Sequence, residues 1–155
     1  MQAGDRAPSF SLPDQSGQVR KLSDFRGHPL VLYFYPRAST SGCTVEAQEF
    51  RDHYATFRRR GIAIAGASPD TVAAQKKFAD NESLPFPLLA DAERALCETY
   101  GVLQPKSMYG RKFLGVVRTT FLIDSKGVVR AVLEKVKPAG HAEEVLEAIK
   151  TLGLA

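Results

Sequence analysis

The sequence predicts an α/β fold: a mixed central sheet flanked by helices on both sides, with an N-terminal β-hairpin before it, built as one domain over residues 1–155. Three observations carry this expectation. The middle of the chain alternates short, β-prone apolar runs with amphipathic stretches, and its last third turns to strand, turn, strand and helix. No repeat, linker or charge block divides the chain. Hydrophobic residues at 44% and charged residues at 25% sit near the globular average, which excludes disordered, collagen-like and low-complexity classes.

At the front, Phe10 and Leu12 alternate with polar residues up to Pro13, and Gln18 to Leu22 can pair with them through a Ser16-Gly17 turn. Leu30 to Tyr35 is continuously apolar or aromatic between Pro29 and Pro36, the pattern of a central strand covered on both faces. From Thr44 to Arg60, Val45, Ala47, Phe50, Tyr54 and Phe57 recur at helical spacing, which predicts one amphipathic helix stopped by Gly61. Arg58, Arg59 and Arg60 suit the negative end of that helix, a solvated terminus rather than a phosphate patch.

Ile62 to Ala67 reads as a second buried strand, and Ser68-Pro69-Asp70 supplies capping chemistry for a helix from Thr71 to Ala79. Leu88 to Ala90 follows as a short strand, and Asp91 caps a helix carrying Ala95, Leu96 and Tyr100. Gly101 to Gly115 reads as irregular, with Met108-Tyr109-Gly110 either packed against the core or lining a substrate mouth. Thr119 to Asp124, the turn Ser125-Lys126-Gly127 and Val128 to Leu133 form a strand pair. His141 to Leu152 then places Val145, Leu146, Ile149 and Leu152 on one helical stripe that ends at Gly153.

Twenty-one Lys and Arg against seventeen Asp and Glu leave a net charge of +4, too small a surplus to argue for a nucleic-acid groove. Two cysteines, Cys43 and Cys97, cannot build a four-thiolate zinc site or a multi-disulfide scaffold, and His28, His53 and His141 have no ligand spacing. The expectation is therefore no metal and no cofactor. No run approaches the roughly 20 apolar residues of a membrane span, and the first residues lack the charged head and apolar centre of a signal peptide. These features point to a reducing cytoplasm with both thiols free.

Cys43 lies just past the carboxyl end of the buried strand and opens the long helix, at the edge where open α/β sheets bind ligands. A thiol in a first helical turn faces unpaired backbone N–H groups and the positive end of the dipole, which stabilise thiolate. An ordinary cysteine is only about 3% thiolate at pH 7, so full ionisation gains only about 30-fold. Fast thiol chemistry therefore also needs an oriented substrate and a stabilised leaving oxygen. Thr40 can place a hydroxyl beside the sulfur, and Pro36 can shield the site without adding a backbone donor. A guanidinium would complete the arrangement, but spacing alone does not choose among the arginines.

Pro36-x-x-x-Thr40-x-x-Cys43 resembles the active-site signature of peroxiredoxins. Phe34-Tyr35-Pro36 and Gly42-Cys43-Thr44-x-Glu46-Ala47 are similar to the peroxiredoxin Q branch, also called bacterioferritin comigratory protein. The likeness spans nearly the whole chain, through Gly4-Asp5-x-Ala7-Pro8, Gly66-x-Ser68-x-Asp70, Pro85-Phe86-Pro87-Leu88-Leu89-x-Asp91 and Arg118-Thr119-Thr120-Phe121-Leu122-Ile123-Asp124. It implies a thioredoxin-like fold and a thiol-dependent peroxidase acting on hydrogen peroxide and organic hydroperoxides. Cys43 would be the peroxidatic thiolate, Arg118 the missing guanidinium, Thr40 and Pro36 the loop residues that shape the pocket, and Glu46 a support for the arginine. Attack of the thiolate on the terminal peroxide oxygen would give an alcohol or water and a Cys43 sulfenic acid, which a second thiol must reduce.

The chain departs from the pattern where that second thiol belongs. Many relatives carry a resolving cysteine five residues after the first, where this chain has Gln48; others carry it on the next helix, in the stretch matching Lys77-Phe78-Ala79. Only Cys97 remains, as a small buried hydrophobe, a resolving partner reached through local unfolding, or an intermolecular thiol. The expectation is a one-cysteine cycle completed by thioredoxin, glutaredoxin or a low-molecular-weight thiol, in a protein that the resemblance suggests is a monomer. A two-cysteine cycle through Cys97 and a non-turnover redox sensor or holdase are the alternatives. A Cys-x-x-Cys oxidoreductase is disfavoured because Thr44-Val45-Glu46 follows Cys43.

Overall fold

A computed structural model describes residues 1–154. It opens with an antiparallel hairpin of β1 (Ser11–Pro13) and β2 (Val19–Lys21). Asp14 fixes the turn: its Oδ1 accepts the N–H groups of Ser16 and Gln18, and its Oδ2 pairs with Arg20 at 2.8 Å. The main sheet is centred on β3 (Leu30–Phe34). On one side β4 (Ala63–Ser68) and then β5 (Leu88–Ala90) run parallel to it. On the other side β8 (Thr119–Ile123) is antiparallel to it and carries β9 (Val129–Leu133) at the edge.

Every residue of β3 is buried, so its side chains feed two cores by simple alternation. Val31, Tyr33 and Tyr35 enter one core with Phe50, Phe78 and Ile149, beneath α1 (Ser41–Asp52), α2 (Tyr54–Arg59), α3 (Val72–Glu82) and α5 (His141–Leu152). Leu30, Leu32 and Phe34 enter the other with Leu89, Phe121 and Tyr100, beneath α4 (Ala95–Thr99) and the segment around Ala7 and Phe10. Tyr33 stacks on Phe50 with ring centroids 4.6 Å apart, and Phe121 meets Tyr100 edge-on at 5.1 Å. Truncating Phe121 to alanine should cost about 3–5 kcal/mol, read as a lower urea midpoint at unchanged m-value; a loss below about 1 kcal/mol would refute this packing.

The structure corrects the sequence reading in three places. The stretch from Thr44 to Arg60 is two helices, broken at His53, where φ is −98° and ψ is 3° and the ring Nδ1 lies 2.9 Å from the Glu49 carbonyl. The third helix runs on to Glu82, ends at left-handed Ser83, and is capped by Thr71, whose Oγ1 accepts from the Ala74 N–H. The segment read as irregular is an antiparallel hairpin of β6 (Leu103–Met108) and β7 (Arg111–Val116). Its two-residue turn has positive φ at both Tyr109 and Gly110, the primed geometry that matches strand twist. Met108 and Tyr109 stand out in solvent, so of the two readings of this segment the packing against the core is not found. Asp91 does cap α4, its carboxylate accepting the N–H groups of Leu96 and Cys97. Among the described residues no helix is long and apolar enough to cross a membrane.

Candidate active site

The chain leaves β3 at Tyr35 and crosses to α1 through a loop that is anchored at both ends. The Ala38 N–H donates to Asp70 Oδ2, which also accepts the Ser68 hydroxyl at 2.6 Å, so the exit of β4 holds the loop. Thr40 is extended at the N-cap position; its hydroxyl donates to the Arg37 carbonyl, and its own carbonyl accepts both the N–H and the hydroxyl of Thr44. The helix therefore begins at Ser41 and carries Cys43 in its first turn, 1% exposed.

Arg118 reaches the same place from the far end of the sequence, because β8 starts beside the end of β3: Thr119 pairs with Phe34 and Arg118 lies just beyond. Its Nη2 donates to Cys43 Sγ at 3.3 Å and its Nη1 to Glu46 Oε1 at 2.7 Å. The guanidinium thus bridges a thiol and a carboxylate one helical turn apart on α1. Gly42 makes room for it, since a Cβ there would lie 3.2 Å from Nη2 and 3.5 Å from the Pro138 ring. The Arg118 carbonyl accepts the Val136 N–H, and both Glu49 carboxylate oxygens lie 2.8 Å from the Gly140 N–H, which ties the β9–α5 connection over α1.

Glu46 is fully buried, and burial pushes its carboxyl up to about 7 against the pull of Arg118. Its Oε2 has no hydrogen-bond partner among the described residues. Burial opposes the Arg118 charge, but Glu46 and Cys43 outweigh it and raise its pKa above the ordinary arginine value. The shift at Glu46 has a stability consequence. Between about 4.5 and about 7 the native chain binds a proton there that the unfolded chain does not, so this contribution is full at low pH and is lost as pH rises through about 7. Glu46→Gln should remove that slope, seen as a difference in urea midpoint from wild type that changes between pH 5 and pH 8; a constant difference would contradict it.

Of the residues singled out from sequence, Cys43, Glu46 and Arg118 meet in one cluster. Pro36 stands half-buried at the loop entrance, and the Thr40 hydroxyl is turned to the Arg37 carbonyl. Cys97 is elsewhere: fully buried in the second core, on the opposite face of the sheet from Cys43. Burial and then Asp91 push its thiol far up, so it is a poor nucleophile at neutral pH. Pro138, Asp70 and Glu49, which close or anchor the site, carry no sequence signal that ties them to Cys43.

The AhpC/TSA family model matches residues 3–132. A putative peroxiredoxin bcp of Coxiella burnetii is 44% identical over 146 residues, 94% of this chain and 97% of its own length. Peroxiredoxin Bcp of Escherichia coli K12 is 41% identical over 150 residues, 97% of this chain and 96% of its own. Among solved structures, a cysteine-to-serine mutant of Xylella fastidiosa PrxQ superposes with a TM-score of 0.92 at 33% identity, covering 97% of this chain and 96% of that one. A Xanthomonas campestris bacterioferritin comigratory protein gives a TM-score of 0.87 at 39% identity over 92% and 90% of the two chains. With its thioredoxin-like fold and a buried cysteine held by an arginine at the start of a helix, the chain belongs to the AhpC/TSA family, as a peroxiredoxin of the Bcp, or PrxQ, type.

Proposed function

We propose that this chain reduces hydrogen peroxide and organic hydroperoxides through a Cys43 sulfenic acid, in a one-cysteine cycle completed by an external thiol. The observation that carries the reading is the 3.3 Å contact of Arg118 Nη2 with Cys43 Sγ, backed by Glu46. Arg118 keeps its planar donors beside the sulfur and the point of attack, where an incoming peroxide oxygen can share them. The sulfur attacks the terminal oxygen, the O–O bond breaks, and its electron pair leaves with the other oxygen, which takes a proton to become alcohol or water. Arg118 and the N–H groups of the first turn of α1 stabilise the charge on both oxygens as it moves. The Thr40 hydroxyl, at the mouth of the same turn, exchanges its Arg37 carbonyl for the peroxide, and Pro36 keeps a competing backbone donor out of the loop.

The lack of a cysteine at Gln48 and in Lys77-Phe78-Ala79 supports the one-cysteine form. A Cys43–Cys97 disulfide needs Cα atoms within about 7 Å, whereas the two thiols belong to cores separated by the sheet. Cys97→Ser should therefore keep turnover within about twofold of wild type. Peroxide-treated, non-reduced protein should gain oxygen rather than lose two hydrogens by mass; a two-hydrogen loss abolished by Cys97→Ser would establish the two-cysteine cycle instead.

The external thiol is thioredoxin, glutaredoxin or a low-molecular-weight thiol, the chain acts as a monomer, and the setting is a reducing cytoplasm. The deciding experiment follows peroxide consumption with each thiol in turn on one purified sample. Sustained turnover with at least one donor supports the peroxidase; a single equivalent consumed with every donor would make Cys43 a redox sensor.

A further inference from the structure

A cavity of about 370 Å³ opens at the end of the sheet remote from Cys43, where β3 begins and β8 ends. Its floor is apolar: Ala7, Leu30 and Ile123 are buried members of the second core, and Phe25 and Leu22 lie half-buried against them. Its rim is basic. Arg6, Arg26 and Lys126 come from three separate segments, all are exposed, and among the described residues none of them has a carboxylate within 4 Å.

The acids close by are already engaged. Asp124 Oδ1 accepts the N–H groups of Lys126 and Val128 and its Oδ2 lies 3.7 Å from Arg130, while Asp24 accepts the Lys21 N–H. His28, also at the rim, lies with Nδ1 3.2 Å from the Gly61 carbonyl. Backbone hydrogen bonds hold the three cationic segments in place, Ala7 to the Gly127 carbonyl at 2.9 Å and Gly27 to the Ser125 carbonyl at 3.0 Å. The pocket is therefore formed before any ligand arrives. Three like charges facing one apolar depression repel each other and focus a positive potential into it, a cost that a bound anion removes.

We propose that this cavity is a binding site for a small amphiphilic anion, a carboxylate head on an apolar body about as large as a medium-chain acid. The head meets the guanidinium forks of Arg6 and Arg26 and the Lys126 ammonium, and the body lies on Phe25, Leu30 and Ile123. The size of the cavity suits a small molecule and not a protein segment or nucleic acid, and the apolar floor separates this ligand from inorganic phosphate. The site stands clear of the Cys43 chemistry and does not depend on it.

Decanoate is the probe. Titrated into the ¹⁵N-labelled full chain, it should give saturable amide shifts confined to Arg6, Ala7, Phe25, Ile123 and Gly127, with affinity rising roughly threefold per methylene from hexanoate to decanoate. The double substitution Arg26→Gln and Lys126→Gln, at exposed positions without ion pairs, should raise Kd about tenfold and leave peroxide consumption unchanged. The neutral analogue 1-decanol should bind wild type at least tenfold more weakly than decanoate. Unsaturable or scattered shifts, equal binding of decanol, or an unchanged Kd in the double variant would each overturn the assignment.

Discussion

Cys43→Ser is expected to lower peroxide consumption by at least about a thousandfold with every thiol donor. The serine oxygen fits the same space, but it is not ionised at neutral pH and forms no species equivalent to a sulfenic acid that a thiol could reduce. The rest of the site survives the exchange: Arg118 keeps its 2.7 Å bond to Glu46, and the first turn of α1 keeps its ties at Thr40 and Thr44. Stability should change by less than about 1.5 kcal/mol, because the buried hydroxyl inherits the Arg118 donor that the sulfur now accepts. Stopped-flow peroxide consumption beside urea unfolding of the same sample reads both quantities. Activity within tenfold of wild type would move the chemistry to Cys97, against its burial in the other core.

The elements legible in the sequence are those whose burial leaves a periodic trace. Leu30 to Phe34 is recognisable because both faces are covered and no polar residue interrupts it, and the helix His141–Leu152 because one stripe faces the core. The hairpin of β6 and β7 has no such trace. Gln104, Pro105, Arg111 and Lys112 face solvent, so alternation disappears, and a tyrosine fills a turn position where asparagine or glycine is the usual signal. The break at His53 is silent for the opposite reason: Phe50, Tyr54 and Phe57 keep helical spacing across it, since both helices pack on the same core.

The candidate site divides in the same way. The run from Pro36 to Glu46 is local, so its motif can be read directly. Arg118 lies 75 residues from Cys43, and its selection needed the family resemblance, because spacing carries no information about which strand will end beside β3. Pro138 lies beside Gly42, and Gly140 reaches Glu49 on α1, only because α5 packs on that helix. The placement of Cys97 is likewise a property of strand alternation and sheet order: the core it enters cannot be known until the face of β5 and β8 that α4 covers is known.

Arg118→Met should separate the two tasks of the arginine. Removing a preorganised donor from a reacting oxygen typically costs about 10² to 10³ in rate, so sulfenic acid formation should slow by that factor even though methionine fills much of the same volume. The substitution also leaves Glu46 buried without its cation, a change that costs about 3–5 kcal/mol when the charge is retained. Glu46 has a way out, because burial already holds its carboxyl at about 7 and the loss of Arg118 raises it further. At neutral pH the variant should therefore carry a protonated Glu46 and lose less than the full amount, with the loss growing as pH rises and the carboxyl is forced to ionise. Adding Glu46→Gln removes the ionisable group, and the double variant should recover stability at high pH while its rate stays as low as that of Arg118→Met alone. Recovery of rate along with stability would mean that Arg118 acts only by neutralising Glu46; a rate near wild type in the single variant would remove the guanidinium from the reaction altogether.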